Sequence, residues 1–502
     1  MARAAGEGRL AGVGAFYGAL WTEGRAAVER WRLDIVVPVA MVASWFAIRT
    51  VAGADGRAYL LWVFAAGALA LVAPRWGLVV FVATSVFFEP DTLAPTLGPR
   101  ELVVLPLALG ILIQVLADRG RWRPGLAIWL ALLLVVGTGL GVVHSFARFD
   151  QDFAWHSAQS WLGNMLAPVI LLIAAAWTAR DGSLRVLAVA TGVAAVAAVA
   201  ALVEYVAPGS ISGGPLGWIG FWKDFGGRLA GIVPSPNAVS ALLIVPTMVL
   251  LAAALFGRDL RLRAGALAAS LPLLAAHYLT FSRSPIIALY VFVVVAAWRV
   301  RRLFGIVALA VGLVVGLALL PSYLAIRSQS GGDPTIPGTV LVASDQHRLR
   351  AWGAATRMWA EAPLTGQGYL SYKALAESYG DPVLGSPHNE WLRLFAEEGA
   401  IVGLIGIGFV VMAGVTLTRV PGWLGTGLLA GFLGYVLAAS FNNPLLFVRV
   451  SAVAFPIVGV GLALAERYRS AAKKAEERVA PPTESTAEAG AEAVAPGEPA
   501  LH

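Results

Sequence analysis

Apolar residues gather into long runs along this chain, and short links rich in arginine, glycine or proline separate the runs. A helix needs about 20 mostly apolar residues to cross the hydrocarbon core of a bilayer, and fewer where protein flanks it. Counted in this way, the runs predict about fourteen spans. They lie at 33–52, 58–73, 76–89, 101–117, 124–146, 163–179, 183–206, 237–256, 262–281, 284–299, 303–322, 398–417, 422–440 and 447–464. The second and third are short, so a single broken or re-entrant element around Ala73-Pro74-Arg75 is an alternative there.

The composition is that of a protein surrounded by lipid. Of the 502 residues, 58% are apolar and 13% are charged, against roughly 45–50% and 25% in soluble domains. The chain has no cysteine, which excludes disulfides and thiolate metal sites. Its net charge of +7 comes from basic residues spread over short links, so nucleic acid is not an expected partner. We therefore predict an all-α polytopic membrane protein with about 12–14 transmembrane helices.

Arginines are distributed unevenly between alternate links. With a cytoplasmic amino terminus, the links on its side hold Arg119, Arg121, Arg123, Arg180, Arg185, Arg258, Arg261, Arg263, Arg299, Arg301 and Arg302, and the opposite links hold far fewer. The positive-inside rule then predicts that both termini are cytoplasmic. The expected domains are a cytoplasmic segment at 1–32, with an interfacial helix around 16–31, a transmembrane domain at 33–465 and a cytoplasmic tail at 466–502. The tail is rich in Ala, Glu and Pro from about Ala471, which predicts disorder.

Two links on the extracytoplasmic face, 207–236 and 323–397, are too long to be turns, and long loops of this kind are where membrane proteins build sites. In the second link, the stretch SDQHRLRAWGAATRMWAEAP predicts an amphipathic helix on the membrane surface. Ser344 is its expected N-cap and Pro363 its end. The expected apolar stripe consists of Leu349, Trp352, Ala355 and Trp359.

A second helix is predicted to begin within SPHNEWLRLFAEEG and to run into the next span. Ser386 is its expected N-cap, Pro387 takes its first position, and His388 lies in its first turn. The positive end of the helix dipole disfavours the imidazolium, so we predict a neutral His388 that is able to accept a proton. The alternative is a histidine that only anchors the helix among lipid headgroups, with Asn389 and Glu390 in water.

The segment HNEWLRLFAEEG resembles the signature of the O-antigen ligase and O-antigen polymerase superfamily, through His388, Asn389, Trp391, Leu392, Glu397 and Gly399. Three further pieces agree with that family in order. They are RLAGIVPSPN (Arg228 to Asn237), TFSRSP (Thr280 to Pro285), and RLRAW with PLTGQG (Arg348 to Trp352 and Pro363 to Gly368). The resemblance extends over roughly 207 to 465, and the first six spans match only in hydropathy.

This resemblance implies a metal-independent glycosyltransferase that needs no cofactor. It would move a glycan from a polyprenyl diphosphate carrier, such as undecaprenyl diphosphate, onto an acceptor hydroxyl at the outer face of the cytoplasmic (inner) membrane. The acceptor would be a lipid, the wall or a growing polysaccharide, and by analogy the reaction is a direct, inverting displacement. Arginine suits the diphosphate leaving group because it is planar and permanently charged.

Six residues are the resulting candidates for the site. His388 is the expected general base or hydrogen-bond acceptor for the acceptor hydroxyl, and Arg283 is the expected contact of the leaving group. The expected substrate-binding residues are Arg228, Arg348, Asn389 and Gln367. The predicted topology places the three arginines on the same face as His388.

Several of these assignments have structural alternatives. Arg348 could only snorkel from its surface helix, with Arg350 and Arg357 as competitors for its role. The turn glycines explain the sequence around Gln367 without a sugar contact, and Glu397 is expected to pack or to cap. The remaining histidines form no metal-ligand spacing.

Two other classes of function remain as alternatives. A transporter or flippase of lipid-linked sugars, or of another small solute, predicts charged residues deep in several spans, and these are scarce in the sequence. A membrane scaffold leaves the arginines and the histidine of the external links without a purpose. The motifs do not specify the sugar, the linkage or the acceptor.

Overall fold

The computed structural model describes residues 39–51, 56–87, 101–117, 122–214, 228–233, 235–329, 337–381 and 385–479. The predicted cytoplasmic segment at 1–32, the middle of the link 207–236 and the tail beyond residue 479 lie outside these residues. Backbone contacts divide the chain into a large unit, Ile35–Ala465, and a small unit made of Met1–Asp34 and Glu466–His502. The fold described below is that of the large unit.

Helices make up most of the described chain, and none of the described residues forms an extended β-strand. In order they are α1 (Val39–Val51), α2 (Gly56–Val72), α3 (Pro74–Ser85), α4 (Glu101–Ala117), α5 (Leu126–Arg148), α6 (Gln151–Trp161), α7 (Ala167–Thr178), α8 (Arg185–Val206), α9 (Pro236–Phe256), α10 (Leu260–Leu279), α11 (Ser284–Val300), α12 (Arg302–Gln329), α13 (Pro337–Glu361), α14 (Ser371–Leu375), α15 (Glu390–Leu417), α16 (Gly422–Ala439) and α17 (Val448–Val479). A π-helical turn at Leu162–Leu166 joins α6 to α7, and a short 3-10 turn at Pro444–Leu446 precedes α17.

Eight helical segments in the described chain are long and apolar enough to cross a bilayer: Leu126–Arg148, Gln151–Asp181, Arg185–Val206, Pro236–Phe256, Leu260–Leu279, Glu390–Leu417, Gly422–Ala439 and Val448–Glu476. Five shorter apolar helices accompany them, at Val39–Val51, Leu60–Val72, Leu102–Ala117, Ser284–Val300 and Arg302–Val315. The prediction of an all-α polytopic membrane protein is therefore confirmed.

The break predicted around Ala73 is present in the structure. Helix α2 ends at Val72 and α3 begins at Pro74, where a missing N–H costs nothing. A Cβ atom on Gly77 would lie 2.2 Å from the Cα of Ala70. The two helices thus form a tight hairpin whose close approach depends on that glycine.

The core of the unit lies around α9, most of whose residues are buried. Helix α16 packs against α9 and α11 through a stripe of small residues. A Cβ on Gly427 would lie 2.7 Å from the Cα of Val249, and one on Gly434 would lie 2.8 Å from the Cβ of Ala288. Association between helices in lipid relies on such close backbone contact, because burial of apolar groups gains little there.

Three segments differ from the prediction. The sequence predicts a link at 147–162, but α6 fills most of it, and Asp150 caps this helix by accepting a bond from the Phe153 N–H at 2.8 Å. Helix α15 begins at Glu390, three residues after the predicted first position Pro387, and continues into the predicted span at 398–417. Helix α17 continues past Ala471 to Val479, because Ala and Glu, two of the residue types that suggested disorder, also favour helix.

Links that the sequence assigns to one face of the membrane are neighbours in the structure. Arg299, at the end of α11, donates to the carbonyl of Val420, in the link between α15 and α16, at 2.8 Å. Arg75 lies 3.6 Å from Asp181, in the link between α7 and α8. The candidate site lies at the other ends of α11 and α15, where these helices begin.

Candidate active site

His388 lies just before α15, in a strained backbone conformation. Asn389 is the N-cap of the helix, since its Oδ1 accepts from the N–H groups of Trp391 and Leu392 at 3.1 and 3.0 Å. The predictions of Ser386 as the cap and of His388 in the first turn are therefore wrong. His388 has φ +49°, a left-handed conformation that a residue with a side chain seldom adopts, and such strain gathers at functional sites.

The imidazole of His388 is largely buried and is held among polar groups. Arg348, Asp381 and the side chain of Asn442 act on the ring. Burial, and after it the positive charge of Arg348, lower the pKa of His388 to about 4, although Asn442 and Asp381 act in the opposite direction. This direction agrees with the predicted neutral histidine, and its main cause is burial rather than the helix dipole.

Three arginines from three segments meet near this histidine. Burial lowers the pKa of Arg228, and the charges of Arg348 and Arg283 lower it as well. Arg348 is also the cation that acts on His388. All four predicted residues are thus brought together. Three arginines that lie close together repel one another, and an anion bound between them offsets that repulsion. This cluster therefore favours a polyanionic ligand.

The segments that carry Arg228 and Arg283 are bonded directly to each other. Arg228 donates from Nε to the carbonyl of Thr280 at 2.9 Å, and from a terminal nitrogen to Oδ1 of Asn237 at 3.3 Å. The backbone N–H of Leu229 donates to the carbonyl of Leu279 at 2.9 Å. Arg283 itself is exposed at the N-cap position of α11, where the helix dipole favours an anion. Two of the recognised motifs therefore form one surface.

The loop that carries the PLTGQG motif packs against Gly399, the last residue of the segment HNEWLRLFAEEG. Gly399 has φ +77° and breaks the helical geometry of α15. A Cβ on Gly399 would lie 2.2 Å from the carbonyl oxygen of Leu364, and one on Gly366 would lie 2.3 Å from the oxygen of Glu397. Carbonyls at the kink accept from the N–H groups of Gln367 and Gly368 at 3.1 and 2.8 Å. Because neither glycine has a side chain, the backbone of the loop can lie directly against the backbone of the helix.

Gln367 has a structural role in this junction. It is 1% exposed, its Nε2 donates to the carbonyl of Met358 at 2.9 Å, and its Oε1 accepts from Arg148. Both ends of the amide are already bonded to protein groups. The expected sugar contact of Gln367 is therefore corrected to a bridge between α5, α13 and the loop.

The helix that carries Arg348 differs in detail from its prediction. Helix α13 begins at Pro337, so Ser344 lies inside it and is not its cap, although the helix does end before Pro363. Its buried residues are Ala351, Ala354, Ala355 and Met358, whereas Leu349 of the expected apolar stripe is 65% exposed. The buried stripe contacts Tyr372 and Ala396, so α13 packs on the protein.

The three arginines of α13 have different surroundings. Arg348 acts electrostatically on both His388 and Arg228. Arg357 donates instead to the carbonyl of Tyr379, at 3.1 Å from its Nε, and Arg350 is exposed. Arg348 is therefore the arginine of α13 that belongs to the site.

Sequence reasoning missed a buried ionic network immediately after His388. Arg393, 1% exposed, pairs with Glu390 through Nε at 2.9 Å and with Glu397 at 2.6 Å. Glu397 also accepts from the N–H of Tyr372 at 3.2 Å, so its expected packing role is what the structure shows. The spacing of Glu390, Arg393 and Glu397 places all three on one helix face, a pattern that the sequence already contained.

Two further polar groups inside spans are satisfied locally. Glu204 accepts from the N–H groups of Gly209 and Ile211 at 2.8 and 2.9 Å, which closes the turn after α8. His277 lies 3.1 Å from the hydroxyl of Thr247 and is buried. Within the described residues, no group of three His, Cys, Asp or Glu residues is arranged to hold a metal ion.

The fold is that of a polytopic membrane protein that carries a cluster of arginines near a histidine. A comparison with protein families then gives the relationship: the model of the O-antigen ligase family matches residues 267–408. The matched region extends from α10 to the middle of α15 and includes Arg283, Arg348 and His388. No curated protein matches the chain. Over these residues the match confirms the resemblance to the O-antigen ligase and O-antigen polymerase superfamily, and it supports a glycosyltransferase of this general type. The motif RLAGIVPSPN, which contains Arg228, lies outside the matched residues.

Proposed function

We propose that this protein transfers a glycan from a polyprenyl diphosphate carrier to an acceptor hydroxyl at the outer face of the cytoplasmic membrane. The observation that carries the proposal is the meeting of Arg228, Arg283 and Arg348 beside a neutral, largely buried His388. The family match extends over two of these arginines and the histidine. In this orientation the arginine-rich links and both termini are cytoplasmic.

The arginines bind the diphosphate of the donor. As the bond between the sugar and the diphosphate breaks, negative charge grows on the leaving oxygen, and cations already in place stabilise it. Arg228 is held by the carbonyl of Thr280 and the amide of Asn237, so its guanidinium is oriented before the ligand arrives. Metal ions commonly neutralise diphosphates, and here the arginines take that role, so we propose a metal-independent reaction.

His388 accepts the proton of the acceptor hydroxyl. The acceptor oxygen forms a bond to the anomeric carbon while the bond from that carbon to the diphosphate oxygen breaks, and polyprenyl diphosphate leaves. A single displacement of this kind inverts the anomeric centre. A histidine with a pKa near 4 is neutral at physiological pH. The negative charge of the bound donor would offset Arg348 and raise that pKa, which strengthens the base when the substrate is present.

The test is transfer by purified protein in liposomes, with polyprenyl-diphosphate-linked oligosaccharide from the host as donor. We expect His388→Ala and Arg283→Ala each to reduce transfer by about 10²–10⁴-fold, the usual contribution of acid–base or charge stabilisation. Melting temperature should stay within a few degrees of the wild type, because Arg283 is exposed and His388 is only partly buried.

Matched controls are His156→Ala and Arg350→Ala, which remove an exposed histidine and an exposed arginine. Both should transfer at the wild-type rate, and EDTA should have no effect. Full activity in His388→Ala would refute the assigned base. Movement of donor across the bilayer by the wild type, without transfer, would favour a flippase instead.

A further inference from the structure

A buried arginine outside the recognised motifs lies at the start of α17. Arg449 is the second residue of this helix and is 6% exposed. The first turn of a helix disfavours a cation, because the N-terminal end of the helix dipole is positive. Helix formation therefore does not explain an arginine at this position, whereas a contact with another segment does.

That contact is with the motif that contains Arg228. A terminal nitrogen of Arg449 donates a hydrogen bond to the backbone carbonyl of Ile232. Ile232 belongs to RLAGIVPSPN, and 217 positions separate it from Arg449 in the chain. Ile232 is 2% exposed, and a buried carbonyl needs a hydrogen-bond donor. Arg449 thus ties the start of α17 to the segment that carries Arg228.

The segment 228–233 is held by contacts from three parts of the chain. Its first residue, Arg228, bonds to the residue that follows α10, as described above. Gly231, in the middle, has φ +69° and lies against α8, where a Cβ would come 2.6 Å from that of Ala201. Arg449 holds the segment from α17. Each contact restrains a different part of the segment, so the loss of one leaves the neighbouring backbone freer to move.

We infer that Arg449 is a positioning residue, which fixes the segment 228–233 and through it the direction of the Arg228 guanidinium. The inference rests on the proposed function, in which Arg228 binds the donor diphosphate. Cations stabilise a leaving group best when they are already oriented, because no reorganisation is then needed as the charge develops. Arg449 acts on the backbone of the loop and not on the ligand, so its effect on binding passes through Arg228.

Arginine suits this role better than lysine does. Its guanidinium is planar and presents its N–H donors in fixed directions, whereas lysine carries a point charge on a flexible stem. Arg449→Lys therefore keeps the charge and can still donate, but it loses the fixed direction. Arg449→Met keeps an apolar stem and loses both the charge and the donors.

The experiment measures pyrophosphate binding to the full-length protein in detergent by calorimetry, for the wild type, Arg449→Met, Arg228→Met and the double variant. We expect Arg449→Met to weaken binding about tenfold, the loss of one charge-assisted hydrogen bond to the anion. In the Arg228→Met background no guanidinium is left to orient, so the same substitution should change the affinity by no more than about twofold. Arg449→Lys should bind more tightly than Arg449→Met and more weakly than the wild type.

Arg299→Met is the matched control. Arg299 also donates to a distant backbone carbonyl, that of Val420, at 2.8 Å, but it lies at the other end of α11 from Arg283. This control should lower the melting temperature and leave the pyrophosphate affinity unchanged. Unchanged affinity in Arg449→Met overturns the inference. An equal loss in both backgrounds does so as well, because Arg449 then acts on the ligand itself or on the whole fold. If Arg449→Met does not fold, Arg449→Lys takes its place in the comparison.

Transfer kinetics separate this inference from the proposed function. Arg449→Met should lower kcat/KM for the donor by about the factor by which it weakens pyrophosphate binding, and Arg449→Lys should recover part of that loss. The binding measurements use no glycan donor, so they decide the role of Arg449 even if the wild type shows no transfer, a result that refutes the proposed function alone. A wild type that does not bind pyrophosphate refutes both.

Discussion

Two charged clusters lie near the start of α15, and they differ in how their charges are arranged. The arginine site collects Arg228, Arg283 and Arg348 from three segments, and the like charges lower the pKa of Arg228. The network around Arg393 places a buried cation between Glu390 and Glu397 on a single helix. The network pairs its cation with carboxylates of the same helix, whereas the arginines of the site act on one another as like charges. The two clusters therefore differ in the sign of the charge that acts on each arginine.

The largest effect is expected from breaking the network. Arg393→Leu leaves Glu390 and Glu397 buried without their partner, and removing one member of a buried ion pair costs about 3–5 kcal/mol. Thermal unfolding in detergent should show a large loss of stability. The combination Glu390→Gln, Arg393→Met and Glu397→Gln removes all three charges and should restore most of the stability. A single variant as stable as the wild type would show that the network is not structural.

A smaller loss of stability is expected at the contact between the PLTGQG loop and Gly399 of α15. Gly399→Ala places a Cβ at φ +77° and 2.2 Å from the Leu364 carbonyl oxygen, and the backbone strain alone costs about 1–3 kcal/mol. The control is Gly408→Ala in the same helix, where the nearest atom outside the helix is 3.7 Å away. The control should melt at or slightly above the wild-type temperature, whereas Gly399→Ala should melt clearly below it. Equal melting of the two variants would argue against a tight junction.

The smallest effect tests the arginine site without any sugar. Pyrophosphate should bind the wild type and raise its melting temperature. Arg228→Lys keeps the charge but loses the planar fork, and should weaken binding about tenfold, as expected for one charge-assisted hydrogen bond of about 1.5 kcal/mol. Arg350→Lys is the matched control and should bind normally. Unchanged pyrophosphate affinity in Arg228→Lys would remove Arg228 from the anion site.

The candidate site could be predicted only in part from the sequence. Motif resemblance identified His388, Arg228, Arg283 and Arg348, and the structure brings these residues together. It misassigned Gln367, because the contacts of that amide with Arg148 and Met358 join segments far apart in the chain.

The sequence by itself determined the class of protein. Long apolar runs predict membrane helices because hydropathy and helical length are local properties that a short window of sequence already contains. Local sequence also predicted the break at Ala73 and the end of α13 before Pro363. It predicted the low pKa of His388 as well, although it gave the helix dipole as the cause where burial is the larger one. The tertiary structure alone decided which polar groups meet. The contacts of Gly366 with Glu397 and of Arg228 with Thr280 join distant segments, and no local pattern encodes such pairings.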